Sequence, residues 1–314
     1  MVRYIGSRLL HALPVLFLVS LGAIALTNLM PGSAAETILG EFAREDDIVR
    51  LEEELGLNAP IWERYVDWVG GAVQGDLGGS IRSRQPVSEL ILERVPITLE
   101  IGLASLVIAI AVAVPLGAYA AANEGGRLDK VVTSLVSVSL ALPTYVIAIF
   151  LIYLIAVKGG LLPPNGWSPL SDGIVTNLRF VALPIISLAI AEIPVMLRVL
   201  RADVMATLKE DFVLSARSRG LSRNYVLFRH ALRPSLFSLV TVSGIVFGRL
   251  LGGTVIVERI FSLPGVGSLI ATSVLGKDVR VVQAIVVLIA LLYIVVNTAI
   301  DVTYTYLDPR VRGK

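Results

Sequence analysis

Six stretches of the chain are apolar and long enough to cross a lipid bilayer as helices, which takes about 20 residues each. They lie at residues 9–30, 97–122, 131–157, 181–200, 236–257 and 282–304. Backbone N–H and C=O groups find no water in lipid, so a spanning segment that pairs them internally is a helix. The pattern therefore predicts an all-α membrane protein with six transmembrane helices.

Between the first two stretches lies a polar segment, residues 31–96, with a helical pattern of its own. "DDIVRLEEELGLNAPIWERYVDWVGGAVQ" predicts two short amphipathic helices that are separated at "GLNAP". Gly56 suits the end of the first helix, and Pro60 suits the start of the second. Trp62, Tyr65 and Trp68 share one face of the second helix. That face either lies at the membrane surface or docks an external partner.

Composition supports a membrane protein. The 314 residues are 55% hydrophobic and 17% charged, and the mean hydropathy is +0.79. A soluble domain of this size rarely reaches such a value, because its exterior is polar. The chain has no cysteine and only two histidines, His11 and His230. We therefore expect no disulfide, no metal centre built from cysteine or histidine, and no metal bound by this chain.

The distribution of lysine and arginine predicts the orientation of the spans. With a cytoplasmic N-terminus, the inner segments 1–8, 123–130, 201–235 and 305–314 together with Arg198 hold 15 of the 27 lysines and arginines. Short cytoplasmic segments carry such an excess, whereas long loops weigh little in this rule. Both termini are therefore expected inside the cell.

The same pattern predicts how the chain is organised. The segments are residues 1–30, the N-terminal segment and first transmembrane helix; 31–96, an extracytoplasmic loop; 97–305, a transmembrane core of five helices that includes the inner loop 201–235; and 306–314, a cytoplasmic tail.

Charged residues inside a span indicate a functional site, since a bare charge at the bilayer centre costs at least about 2.5 kcal/mol. Glu192 and Arg249 are the deepest. They either face a polar passage between helices or are paired internally, and the sequence does not decide between the two. Glycines recur near Arg249 and favour close helix approach. The candidate residues for the translocation path or its gate are Glu192, Gly248, Arg249, Gly252 and Glu258.

The most basic run of the chain is "DFVLSARSRGLSRNYVLFRHALRPSL", residues 211–236. It predicts a helix that ends at Gly220 and a second helix that Ser222 caps. Four interpretations compete: anchoring by positive charge on the inner side, binding to anionic lipid, binding to nucleic acid, and docking to a cytoplasmic protein. Nucleic-acid binding has no support elsewhere in the chain, so we expect no nucleic acid as a partner. Anchoring alone does not require an ordered helix pair, and nearby acidic residues dilute a lipid-binding patch.

This run resembles the cytoplasmic loop of ABC-importer permeases. Of the general pattern E-A-A, three residues, Gly, nine residues, I-x-L-P, only Ala216, Gly220 and Leu232 match, and Pro234 comes one place late. The form in the dipeptide/oligopeptide/nickel branch is closer: D-[YF]-V-x-x-A-R-x-K-G-L followed by R-H-A-L. Arg219 replaces its lysine. "VERIFSLPGVGSLI" and the "LDPR" end resemble the same branch, and the long outer loop resembles its first-subunit type.

The resemblance implies a type I ABC importer permease fold in the bacterial cytoplasmic membrane. It also implies four kinds of partner: a second homologous permease, two cytoplasmic ABC ATPases, an external solute-binding protein, and the lipid bilayer. The chain has no G-x-x-x-x-G-K-[ST] phosphate-binding motif, so we expect a non-catalytic subunit without a cofactor, and ATP and Mg on the partner ATPases. The residues that the resemblance assigns to ATPase coupling are Asp211, Phe212, Ser215, Ala216, Arg217, Arg219, Gly220, Leu221, Ser222, Arg223, His230 and Leu232.

The resemblance favours peptides as the cargo, with nickel complexes or glutathione as alternatives within the same branch. A free-standing secondary transporter is a rival from another class. Such a protein needs its own coupling-ion site and often has inverted repeats, and the two halves of this chain show no repeat. An intramembrane hydrolase needs a catalytic pair in the spans, and the sequence offers no convincing set.

Overall fold

The computed structural model describes residues 2–28, 33–40 and 43–307, and these residues form helices joined by turns. The only β-type pairing among them is an isolated bridge between Gly79 and Pro86. The predicted all-α class is confirmed in these residues.

The chain divides into two compact units. The first contains Met1–Thr98 and Pro264–Val295, and the second contains Leu99–Leu263 and Val296–Lys314. The division falls within two helices, α6 (Val95–Ala122) and α14 (Val279–Leu307).

The first unit consists of one long helix, several short helices and the N-terminal part of α14. Its helices are α1 (Val2–Asn28), α2 (Ala34–Leu39), α3 (Glu45–Leu55), α4 (Ile61–Val73), α5 (Val87–Leu92) and α13 (Val266–Leu275). Its core forms where α5, α13 and α14 meet, around Val87, Ile91, Val266, Val281 and Ile285.

The two amphipathic helices predicted in the outer loop are α3 and α4. Gly56 ends α3 in the left-handed conformation, with φ 67°, and Pro60 immediately precedes α4. The aromatic face of α4 is partly engaged. The Tyr65 hydroxyl lies 2.9 Å from Ser20 Oγ on α1, and its ring packs edge-on against Phe17.

A buried carboxylate holds the loop after α4 to the start of α14. Asp278, which is 2% exposed, accepts hydrogen bonds from Ser80 Oγ at 2.5 Å, from the Ile81 amide at 3.2 Å and from the Arg82 amide at 3.3 Å. A carboxylate accepting several N–H and O–H donors tolerates burial. This contact joins positions almost 200 residues apart, so local sequence patterns give no sign of it.

The second unit is a bundle around the longest helix. Its helices are α6, α7 (Arg127–Ala141), α8 (Thr144–Leu151), α9 (Ile174–Thr207), α10 (Asp211–Ser218), α11 (Arg223–Tyr225) and α12 (Leu232–Ile260). Helix α9 packs against α7, α8 and α12. The core includes Leu183, Met196 and Leu200 of α9 and Leu250 and Val257 of α12.

Four helices in the described part of the chain are long and apolar enough to span a membrane, or five if a bent pair counts as one span. The four are Val87–Ala122, Ile174–Thr207, Arg223–Ile260 and Val279–Ile300. The predicted windows at 97–122, 181–200 and 236–257 lie inside these helices, and the window at 282–304 lies inside α14.

The third predicted window, 131–157, is not one continuous helix. Arg127–Ala141 and Thr144–Lys158 meet at an angle of 101°. Leu142 is extended at the break, with φ −95° and ψ 123°, and Pro143 follows it. A proline ring disfavours the helical conformation of the residue before it. Pro115, Pro184 and Pro194, by contrast, lie inside helices, as expected for spans.

The two chain ends are only partly described. The first window, 9–30, overlaps α1, where Ala12–Ala25 is the apolar part among the described residues, and residues 29 and 30 lie outside them. Of the tail at 306–314, residues 308–314 lie outside the described residues.

Candidate coupling site

Residues 201–235 are predicted to face the cytoplasm and are called here the inner loop. They comprise the end of α9, helix α10, a glycine turn, helix α11 and the start of α12. Helix α10 ends at Ser218, and Gly220 adopts φ +79°. Ser222 then caps α11, its hydroxyl accepting from the Tyr225 amide at 3.4 Å. A positive φ at the residue after a helix is the conformation that glycine adopts without steric cost. The predicted local structure is confirmed.

A small apolar cluster stiffens this turn. Val213 and Ala216 of α10 pack against Val226, with Leu208 alongside. All three cluster residues are buried. Because they come from both sides of Gly220, they fix the angle between α10 and the helix that follows.

The opposite face of the inner loop is apolar and uncovered. Phe212 is 47% exposed, Leu214 50% and Tyr225 50%. Leu221 is exposed at the turn, and the arginines Arg217 and Arg219 are exposed beside it. Large apolar side chains grouped around a charged turn are typical of a surface that another protein covers.

Arg223 attaches the inner loop to α6. Its guanidinium donates to the backbone oxygen of Ala122, the last residue of α6, and to Oδ1 of Asn123 at 2.8 Å. A cation at a helix C-terminus stabilises the unpaired carbonyls there. Phe228 adds an edge-on contact with Tyr119 of the same helix, with ring centroids 5.5 Å apart. Arg223 is therefore a structural anchor.

Of the remaining coupling residues, some are exposed and others are buried. Asp211, Ser215 and Ser222 are exposed, whereas Leu232 is buried at the start of α12. His230 packs edge-on against Tyr225, with ring centroids 5.6 Å apart.

The inner loop joins α9 to α12, and side-chain contacts tie these two helices together. Within the inner loop, Thr207 Oγ1 at the end of α9 lies 3.3 Å from Ser235 Oγ at the start of α12. Farther along, the Arg249 guanidinium donates to Glu192 Oε2. The pair is asymmetric, because the Glu192 side chain is 9% exposed and that of Arg249 is 53% exposed. The structure thus pairs the two charges that the sequence left undecided.

The other candidate path residues, Gly248, Gly252 and Glu258, lie on α12 with Arg249. Gly252 is exposed, and a Cβ there would meet nothing within 4 Å. Glu258 is fully buried. Gly244, one turn before Gly248, packs against Ile300, where a Cβ would overlap the side chain.

A partly buried ion pair that the sequence did not predict lies on α7 and α9. Arg201 donates to Asp129 through Nε at 2.5 Å and Nη2 at 2.8 Å, and Asp129 also accepts from the Gly125 amide at 2.9 Å. Such a bidentate pair has fixed geometry. The sequence does place Asp129 in the first turn of a helix, directly after two glycines. Its partner Arg201 lies 72 positions away, so no local pattern connects the two residues.

The long apolar helices are those of a multi-pass membrane protein, and residues 201–235 form a segment with a packed turn and an exposed apolar face. The chain belongs to the family of binding-protein-dependent transport system inner membrane components. The model of that family matches residues 113–313, and the model of its N-terminal region matches residues 1–102. The family resemblance of the sequence is confirmed.

Named relatives are similar along their whole length. The oligopeptide transport system permease protein AppB of Bacillus subtilis is 32% identical over 314 residues, covering 99% of each chain. The glutathione transport system permease protein GsiC of Shigella flexneri is 33% identical over 314 residues, covering all of both chains.

A solved structure shares the fold. A chain from the inward-facing MetNI methionine ABC transporter superposes with a TM-score of 0.59 at 17% identity, covering 70% of this chain and 96% of that one.

Proposed function

We propose that this chain is one of two membrane subunits of an ATP-driven importer and forms half of the path through which peptides cross the membrane. The observation that carries the proposal is the inner loop, with its uncovered apolar face and its glycine turn, in a chain of this transport family. The names of AppB and GsiC support peptides as the cargo class. GsiC also favours a second candidate, glutathione, which is itself a peptide; nickel complexes are the remaining alternative.

The proposal includes six spans with both termini in the cytoplasm. The first span is α1 and the third is the bent pair α7–α8 with its continuation to Lys158. Residues 31–96 lie outside the cell, 97–305 form the transmembrane core, and 306–314 form an inner tail. Arginines concentrated in the inner loop support this orientation.

The ATPases are separate proteins in this proposal, and they hold ATP and Mg. The inner loop seats in a groove on one ATPase, with Phe212, Leu214 and Tyr225 as the apolar contact. When the ATPases close on ATP, the loop moves as a stiff body, because Val213, Ala216 and Val226 lock its angle. The α9–α12 pair, tied by Thr207–Ser235 and Glu192–Arg249, carries the movement into the bundle.

The path lies between this chain and the second permease. Glu192 is buried, but about half of the Arg249 side chain is exposed, so its positive charge faces the path on that side of α12. Gly252 has open space around it and no side chain, so a helix of the second permease can approach α12 closely there.

Affinity purification of the tagged chain from its native membrane, in mild detergent, tests the proposal. We expect a second six-span permease and two ATP-binding subunits to co-purify in fixed proportion. Recovery of the chain alone, with transport activity intact after reconstitution, would contradict the proposal and favour a secondary transporter.

A further inference from the structure

The first unit contains a polar cavity that the coupling mechanism does not use. Its volume is about 320 Å³, and α4, the turn before it, the loop at 76–81 and the first turn of α14 supply most of its walls. The polar side chains that line it are Arg64, Asp67, Trp68, Asp76, Arg280 and Gln283.

Two buried donors in this wall have no acceptor in the described part of the chain. They are Nε2 of Gln283 and Nε1 of Trp68. Gln283 is 2% exposed, so its amide lies away from bulk solvent. Leaving buried N–H groups unpaired is costly, which is why nearly all such groups in proteins have a partner. A ligand acceptor that reaches these two N–H groups from the cavity would remove this cost.

Two guanidinium groups line the same wall. Arg280 is held in place by donating to the backbone oxygens of Leu55 at 3.3 Å and Gly79 at 3.4 Å. Burial, and then the positive charge of Arg280, lower the pKa of Arg64. Arginine nevertheless stays charged at neutral pH. A negatively charged group near both guanidinium groups lowers their mutual repulsion.

The acids of the cavity restrict which anion fits. Asp67 and Asp76 are exposed and line the cavity with the two arginines. Formal charges in the wall therefore cancel, which disfavours an anion that carries two charges, such as phosphate. A singly charged group with planar acceptor oxygens matches the arginine fork and the two N–H donors.

We propose that this cavity binds a carboxylate. The group comes either from the C-terminus of a short peptide or from an acidic side chain of the external binding protein, and both present the same oxygens. The proposal rests on the proposed function only for these two sources. The volume lies at the lower end of the range for small-ligand sites and far exceeds the room that two waters need.

Binding is measured on the full-length chain in lipid nanodiscs. Trp62→Phe with Trp167→Phe leaves Trp68 as the only tryptophan, so its fluorescence reports directly on the cavity wall. The probes are the dipeptide Ala-Ala, its C-terminal amide, N-acetyl-glutamate α-amide and inorganic phosphate.

We expect saturable fluorescence changes with carboxylate probes only. Ala-Ala binding without binding of its amide assigns the site to a peptide terminus. Tighter binding of N-acetyl-glutamate α-amide assigns it to a protein side chain. Equal binding of Ala-Ala and its amide, tighter binding of phosphate, or no saturable change with any carboxylate would each overturn the proposal.

Gln283→Leu separates a binding role from a structural role. It removes an unpaired buried donor, so the unliganded protein should unfold at the same temperature or higher. Carboxylate binding should weaken about tenfold, as expected when one hydrogen bond to a charged group is lost. Unchanged binding in this variant would contradict the proposal.

Arg64→Gln should weaken carboxylate binding by at least about tenfold. The matched control is Arg50→Gln, an exposed arginine on α3 away from the cavity, which should bind as the unmodified chain does. A normal importer complex without carboxylate binding would remove the cavity proposal alone. Carboxylate binding by a chain that purifies alone would remove the importer proposal alone.

Discussion

The residue on which the inner loop depends most is Gly220. Its φ of +79° lies in the left-handed region, yet a Cβ at this position would meet nothing within 4 Å. The restriction is therefore a backbone one, and a β-branched residue is the worst choice for it. A substitution here changes the turn and leaves the surrounding packing intact.

Gly220→Val should uncouple transport from ATP hydrolysis. Forcing an L-residue into this conformation costs about 1–2 kcal/mol. The turn therefore changes its conformation, and α10 no longer fits the proposed groove on the ATPase. We expect normal membrane insertion, continued ATP hydrolysis and at least about tenfold slower peptide uptake in proteoliposomes. Gly160→Val is the matched control. Gly160 also has a positive φ, +60°, and an added Cβ there would meet nothing within 4 Å, but this glycine lies outside the inner loop. Equal uptake by the two variants would contradict the coupling role of Gly220.

The Glu192–Arg249 pair makes a second prediction at this scale. Arg249→Met leaves a buried carboxylate without its partner, at a cost of at least about 2.5 kcal/mol within a span. Adding Glu192→Gln removes that carboxylate charge. The thermal unfolding temperature in nanodiscs should fall for Arg249→Met and recover in the double variant. No recovery would show that the two charges are not energetically coupled.

At the scale of elements, local sequence signals predicted where helices end and begin, but they did not predict contacts between distant positions. Gly56, Gly220 and Ser222 act on their own neighbours, so their patterns showed where helices end and begin. Asp129–Arg201 and Asp278–Ser80 join distant positions, and a single sequence holds no record of such pairs. The break at Leu142–Pro143 was not predicted, because proline is well tolerated inside spans and the apolar pattern runs through it.

The contact of Arg223 with the end of α6 can be tested by substitution. Arg223→Gln removes the cation at the C-terminus of α6, worth about 1 kcal/mol. Amide hydrogen exchange over residues 211–225 should then become about fivefold faster, as that free energy implies. Arg219→Gln is the control, because Arg219 is an exposed arginine on the same turn, and exchange there should not change. Equal acceleration by both variants would mean that general charge, and not the contact with α6, holds the loop.

Two features of the whole molecule fit the proposed assembly. It lacks the phosphate-binding motif of an ATPase, yet it belongs to a family of transport systems that act with binding proteins. Its exposed surface includes large apolar side chains both along apolar helices, such as Phe150, and on the polar inner loop, such as Phe212. In the proposed complex, lipid covers the first kind and a protein partner covers the second.

Photo-crosslinking at Phe212 tests the central claim most directly. A benzophenone analogue of phenylalanine at this position, irradiated in native membranes, should form one adduct, with a subunit that carries the phosphate-binding motif. The same analogue at Phe150, which is 58% exposed on α8, should form no such adduct. An adduct between Phe212 and a protein without that motif, or no protein adduct in a membrane that transports normally, would contradict the account.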